Sequence, residues 1–325
     1  MDGSIRRGLS QVFWNQAEGR LRAPLRLFVV LFAVLLFAIP LGLFAALLGI
    51  VFEEFGPLLT ALFETLSLAA LVVPVIAVIW FVDKRRFGDV GLTVDRSFRS
   101  DLLFGLTAGL LMATSVVLAG LLLGSGAVEG VLTSVEGDLF SGISVFTGLV
   151  VALGFFFVLA VLEELLFRGY LLVNIAEGIR IGTDDRTAVL SAVAVTAVLF
   201  GVAHAANPGA SLFSTLNIVL FGLFLGCTYV FTDRLAVPIG IHTTWNYTLG
   251  PVFGLPVSGL TSSVVVFDLE LGGPQLLTGG DFGPEGGLLS LLGLVVGVGF
   301  FLAWLRWGSG SLSIEEGIAT PDLRS

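Results

Sequence analysis

Val150-Val151-Ala152-Leu153-Gly154-Phe155-Phe156-Phe157-Val158-Leu159-Ala160-Val161-Leu162-Glu163-Glu164-Leu165-Leu166-Phe167-Arg168 is apolar from Val150 to Leu162, then carries two adjacent carboxylates and an arginine. The run begins near Val145, and its length is what decides the fold. A hydrocarbon core about 30 Å thick takes about 20 apolar residues of helix. Runs of that kind lie near 27–52, 57–82, 102–125, 145–170, 187–206, 211–232, 235–251 and 286–306. They predict an all-α, polytopic membrane protein of about eight transmembrane helices. The whole chain agrees: 56% of its 325 residues are hydrophobic, only 13% are charged, and the mean hydropathy is +1.01. Soluble domains carry charge on roughly a quarter of their residues.

The basic residues orient the spans. Numbered in order, the even loops hold Lys84, Arg85, Arg86, Arg96 and Arg99, then Arg180 and Arg186, then Arg234. The first 26 residues add Arg6, Arg7, Arg20, Arg22 and Arg26, and the tail adds Arg306 and Arg324. The odd loops carry Glu53, Glu54, Glu129, Glu136, Asp138, Asp268, Glu270, Asp281 and Glu285, with no Lys or Arg. Both termini are therefore expected in the cytoplasm of a multi-pass cell-membrane protein. The expected organisation is a cytoplasmic segment 1–26, one transmembrane domain 27–307 with its core at 145–251, and a mobile Gly/Ser-rich, then acidic, tail 308–325. Within the domain, 252–285 is an outer Gly/Pro-rich segment, its β-like run Ser263–Phe267 suggesting a small hairpin or flap. A net charge of -9 argues against nucleic acid as a partner, and the single cysteine, Cys227, excludes an internal disulfide framework. Lysine-poor, acidic loops suit high salt, where close carboxylates are screened.

Ionisable residues inside spans are costly and default to function. The fourth span holds Glu163, Glu164 and Arg168, the fifth ends at His204, and the seventh holds His242 and Asn246; these are the only histidines. Glu164 and Arg168, four apart, share a helical face and can pair. Glu163 is about 100° round from Glu164 and free to point into a cavity. Glu163 and His204 stand about equally far from the Gly182–Arg186 turn, so antiparallel helices bring them level. An extended hairpin there would place the group in the cytoplasmic half. A carboxylate facing an imidazole can deprotonate water, and a histidine with an asparagine can donate to a carbonyl oxygen gaining charge. Glu163, His204 and His242 can alternatively bind a zinc ion.

Glu163-Glu164-Leu165-Leu166-Phe167-Arg168 resembles the EExxxR motif of the CAAX protease and bacteriocin-processing (CPBP, or Abi) family. Phe200-Gly201-Val202-Ala203-His204 resembles its FxxxH motif, and His242-Thr243-Thr244-Trp245-Asn246 its HxxxN motif. The resemblance implies an eight-helix intramembrane endopeptidase similar to type II CAAX prenyl proteases. By it, Glu163 and His204 would activate water, His242 and Asn246 would form the oxyanion site, and Glu164 with Arg168 would give structural support. Phe200 and Trp245 are candidates to line the substrate groove. Metal-free catalysis is favoured, with zinc the alternative, and the expected partners are membrane lipids and a membrane-anchored protein or peptide substrate, prenylated or not. The competing class is a non-proteolytic scaffold or immunity protein, or a proton-coupled transporter, using the same buried cluster. Neither HExxH nor GxSG occurs, and Thr278-Gly279-Gly280-Asp281 only approaches the GxGD of aspartyl enzymes.

Overall fold

The structure, a computed structural model, describes residues 13–52, 56–309 and 313–324. Arg6, Arg7, Glu53 and Glu54, used above for orientation, lie outside the described residues. The helices are α1 (Ala23–Phe52), α2 (Pro57–Asp83), α3 (Arg96–Leu122), α4 (Val145–Arg180), α5 (Asp185–Ala203), α6 (Leu212–Thr232), α7 (Ala236–Tyr247) and α8 (Leu289–Trp304). Seven of them, all but α7, are long and apolar enough to cross a membrane. The helix expected over 235–251 is α7, continued by a π-helical turn at Thr248–Val252. It is shorter than the others and buried along nearly its whole length. Lipid-facing surface explains the rest: Phe28, Leu35, Leu43, Leu66, Phe81, Leu103, Phe146 and Val295 are each more than half exposed. Apolar side chains in that number need hydrocarbon as their solvent.

Local signals fix the starts of three helices. Asp95 accepts from the Phe98 amide to cap α3, Asp184 accepts from Thr187 to cap α5, and Ser211 with Ser214 forms a reciprocal capping box on α6. Two close packings set the core. Across α3 and α7, a Cβ on Gly105 would stand 2.4 Å from the Val237 carbonyl oxygen, and one on Gly109 would stand 2.3 Å from that of Ile241. Only glycine lets these backbones meet, and the Thr244 hydroxyl then donates to the Leu106 carbonyl at 2.8 Å. α4 is α-helical to Glu164, π-helical over Leu165–Leu172 and α-helical again to Arg180. π segments recur at functional sites because the extra residue per turn re-aims side chains.

Among the described residues, two small sheets form. β1 (Trp14–Asn15) pairs with β2 (Arg20–Leu21), and β3 (Gly126–Ser134) pairs antiparallel with β4 (Val264–Leu271). The outer segment thus does contain a strand at the expected run, but its partner comes from the α3–α4 connection and not from a local hairpin. At the even-loop end, Arg20, Arg26 and Arg85 converge on Asp83 and Glu177, so the N-terminal segment is pinned to α2 and α4. Residues 313–324, expected to be a mobile tail, fold back on this end. Ile318 and Ala319 are buried, the Arg324 guanidinium lies over Trp80 at 3.4 Å, and the Asp322 amide donates to Asp89. Glycine and acidic composition signalled a free tail; two buried apolar residues, a cation–π contact and hydrogen bonds to Asp89, Lys84, Arg86 and Val230 hold residues 313–324.

Candidate active site

α4, α5 and α7 bring Glu163, His204, His242 and Asn246 to one cavity of about 190 Å³. Its wall includes Glu163, Phe200, His204, His242 and Asn246, with Phe155, Phe156 and Leu159 of α4 and Ile218 and Phe221 of α6 as an apolar surround. Glu164 and Arg168 are fully buried and paired at 2.8 Å; Arg168 also donates to the Gly222 carbonyl at 3.1 Å and lies 4.5 Å from the centre of the Phe200 ring. The same Glu164 oxygen accepts from His242 Nδ1 at 2.8 Å. Glu164 therefore does more than pair with Arg168: it fixes the rotation of the His242 ring. A carboxylate behind an imidazole decides which nitrogen turns to the cavity, here Nε2.

That nitrogen faces Glu163, whose Oε2 lies 3.7 Å away. Glu163 Oε2 is buried and has no hydrogen-bond partner among the described residues. Buried carboxylate oxygens are normally satisfied, so this one is available to a group the cavity would hold. His204, the C-cap of α5, bonds through Nδ1 to the Phe200 carbonyl at 2.8 Å. A carbonyl only accepts, so Nδ1 carries the proton and Nε2 keeps its lone pair. Asn246 is buried in the wall one turn beyond His242. Phe200 stands between the histidines, its ring centre 4.7 Å from that of His204 and 6.0 Å from that of His242. Trp245, also a groove candidate, is buried and lines a smaller neighbouring cavity with Asn217 and Ser290. Among the described residues, no three His, Cys, Asp or Glu side chains are disposed to hold a metal ion.

Sequence reasoning missed one part of the site. Glu285, counted above only among the odd-loop acids, lines the cavity and is buried. It accepts from Trp245 Nε1 at 2.8 Å, from the Ser258 amide at 2.6 Å and from the Ser258 hydroxyl at 2.7 Å. Ser258, at φ 49, is held in the left-handed region by those bonds, and its carbonyl accepts from Asn207 at 3.0 Å. The turn Pro256–Leu260 is thereby fastened over the cavity, with Gly259 against the Pro208 carbonyl so closely that a Cβ would stand 2.1 Å away. The available signal was a carboxylate at the very edge of the apolar run 286–306, where a solvent-facing role is not the default.

The packing around the cavity differs between its two ends. No even-loop residue lines the cavity. Beneath it, Leu165, Arg168, Gly169, Tyr170, Leu171 and Leu172 of the π segment are all buried and seal that side. Leu139, Val257, Ser258, Leu260 and Glu285, from the odd-loop end, form part of the wall instead. The outer segment, to which sequence reasoning gave no role, dips between the helices and sets this direction.

Residues 145–248 match the family model described as Rce1-like, type II CAAX prenyl endopeptidase Rce1-like. The matched segment contains all three motifs and every polar residue of the cavity wall except Ser258 and Glu285. No curated protein and no solved structure matches the chain.

Proposed function

With a CAAX-type endopeptidase segment at 145–248 in an integral membrane protein as the premise, we propose that the chain cleaves a peptide bond of a membrane-associated substrate, with water activated by Glu163 and His204. The observation that carries this reading is the unpartnered Glu163 Oε2 facing the cavity beside His242 Nε2. In the proposed reaction Glu163 takes a proton from a water held between it and His204 Nε2. The hydroxide adds to the scissile carbonyl carbon, and the carbonyl oxygen becomes an oxyanion. His242, in its doubly protonated form, and the Asn246 amide donate to that oxygen. Collapse breaks the C–N bond, and the proton held by Glu163 passes to the departing amine. Glu164 and Arg168 hold His242 in register and do not touch substrate. The apolar wall from Phe155 to Phe221 takes a hydrophobic side chain beside the cleaved bond and keeps bulk water out.

Terminal-peptide mass spectrometry on membranes from cells expressing wild type or Glu163→Gln at matched levels tests the reading. New termini that appear only with wild type are the expected result, and the loss in the variant should be about 10²–10⁴-fold, the usual worth of a general base. Identical peptide profiles would leave the scaffold or transporter class in front. A glutamate mechanism also predicts cleavage undiminished by 1,10-phenanthroline. Cleavage abolished by the chelator and restored by added zinc would assign Glu163, His204 and His242 to a metal instead.

A further inference from the structure

Resting on the endopeptidase reading, the geometry points to a cavity served from the extracytoplasmic face, so that the substrate is a peptide segment presented outside the cytoplasm beside its membrane anchor. Two independent observations meet here. The first is charge. Outside Arg168, every Lys and Arg of the chain lies in the N-terminal segment, the even loops and their flanking helix ends, or the tail, and the odd loops have none. Short loops rich in Lys and Arg stay in the cytoplasm. The structure gathers these residues into one end: Arg20, Arg26 and Arg85 meet on Asp83 and Glu177, Arg324 packs on Trp80, and Arg234 pairs with Asp95.

The second is access. From Glu163 and His242, the path toward that basic end is closed by the buried π segment of α4 and by Leu235, Ala236, Val237, Ile239 and Ile241 at the start of α7, all buried. The Leu235 amide bonds the Gly91 carbonyl at 3.1 Å, so the α6–α7 turn is itself sewn to the α2–α3 connection. The wall reaches the surface at the opposite end, where Leu260 is 41% exposed and His204, Asn207, Leu139 and Ser258 are partly exposed, and along the lateral face between α2 and α4, where Leu68, Phe155, Leu159 and Glu163 are partly exposed, but nowhere at the basic end. A peptide can reach Glu163 past Leu139 and Leu260, under the turn that Glu285 fastens, without crossing the bundle. A tail presented by the cytoplasm would have to traverse the sealed side or run along the lipid-facing side of α4 past Phe155 and Leu159.

Two measurements test this without sharing a point of failure. Ser134→Cys and Ser141→Cys, exposed at the odd-loop end, and Ser97→Cys, exposed at the even-loop end, are each made in a Cys227→Ala background. Intact cells are treated with a membrane-impermeant maleimide. Labelling of the Ser134→Cys and Ser141→Cys proteins in intact cells, with Ser97→Cys labelled only after lysis, is expected; the reverse pattern overturns the inference whatever the enzyme does. Two odd-end positions keep the test valid if one variant does not fold. Wild-type-dependent termini are then mapped onto membrane proteins of established orientation. Cuts on extracytoplasmic segments support the inference, and cuts confined to cytoplasmic segments overturn it. If no wild-type-dependent termini appear while the labelling pattern is as expected, the endopeptidase reading falls, and the substrate class with it, whereas the facing of the cavity stands.

Discussion

Glu164, behind His242, and Glu285, in the cavity wall, show what single buried carboxylates accomplish. Glu164 is shared between Arg168 and His242, each at 2.8 Å, with no water-exposed surface. Breaking one partner of a buried ion pair leaves a stranded charge and costs about 3–5 kcal/mol. Arg168→Ala should therefore lower the thermal midpoint of the detergent-solubilised protein sharply, whereas Arg168→Lys, which keeps the charge but loses the bond to Gly222, should lower it less. Glu285 touches no reacting group; it positions the Ser258 turn and the indole of Trp245, the neighbour of Asn246 in sequence. Glu285→Gln keeps an acceptor for one of these donors and presents an amide N–H₂ to the other. We expect a drop in kcat of about tenfold from one lost charge-assisted bond. Glu285→Asp, too short to span both donors, should also lose activity, while a pure stability effect would shift the thermal midpoint and leave kcat of the folded fraction unchanged.

At the scale of elements, the site depends on how closely α7 lies on α3. Gly240 meets α3 from the other side, where a Cβ would stand 2.6 Å from both the Leu102 carbonyl oxygen and the Leu106 amide nitrogen. Gly109→Ala forces the two helices apart, since the neighbouring atoms are backbone and the Thr244 hydroxyl. His242 and Asn246 ride on α7, so cleavage should fall by about tenfold or more even where the protein still folds, because small misplacement of reacting groups is expensive. Activity and thermal midpoint measured on the same preparation separate the two effects. The same helix marks where the sequence was hardest to read. Hydropathy placed the long, lipid-facing helices at once, because each is apolar all round. α7 is buried by protein, so its run was found, but its shortness and its central place were not legible. The three motifs identified Glu163, Glu164, Arg168, His204, His242 and Asn246 as a set, and spacing paired Glu164 with Arg168 correctly. The Glu164–His242 bond depends on a helix crossing, and Glu285 reaches the cavity from a Gly/Pro-rich loop; neither leaves a periodic trace.

Across the whole molecule, the two ends do different work: one holds the cavity, the other is a charged platform clasped by the tail. Asp233 sits in that platform at the α6–α7 turn, at φ 50, and its pKa is raised to about 7. Burial is the main cause, followed by the charges of Asp89 and of Glu315 in the tail, against which Arg234 acts only weakly because it is engaged with Asp95. Asp89 is raised as well, again chiefly by burial, although Arg85 opposes the shift. In an unfolded chain Asp233 would ionise near the ordinary aspartate value of about 3.9. Between that value and about 7 the folded state holds a proton that the unfolded state has released, so stability falls as pH rises through this window. Asp233→Asn removes the ionisation, and asparagine tolerates the left-handed backbone. The variant should match wild type in thermal midpoint near pH 4 and exceed it increasingly up to about pH 7, with the gap constant above. A second consequence follows from Glu315, whose amide bonds the Val230 carbonyl at 2.8 Å and whose charge faces Asp233. Raising the pH past 7 sets two anions against each other at the tail's anchor, so protease cleavage within 313–324 should accelerate above pH 7 in wild type and not in Asp233→Asn. Equal cleavage rates in the two proteins at high pH would show that the tail's hold does not depend on the charge of Asp233 and rests on Ile318, Ala319, the Arg324–Trp80 contact and the backbone bonds of Glu315, Asp322 and Arg324.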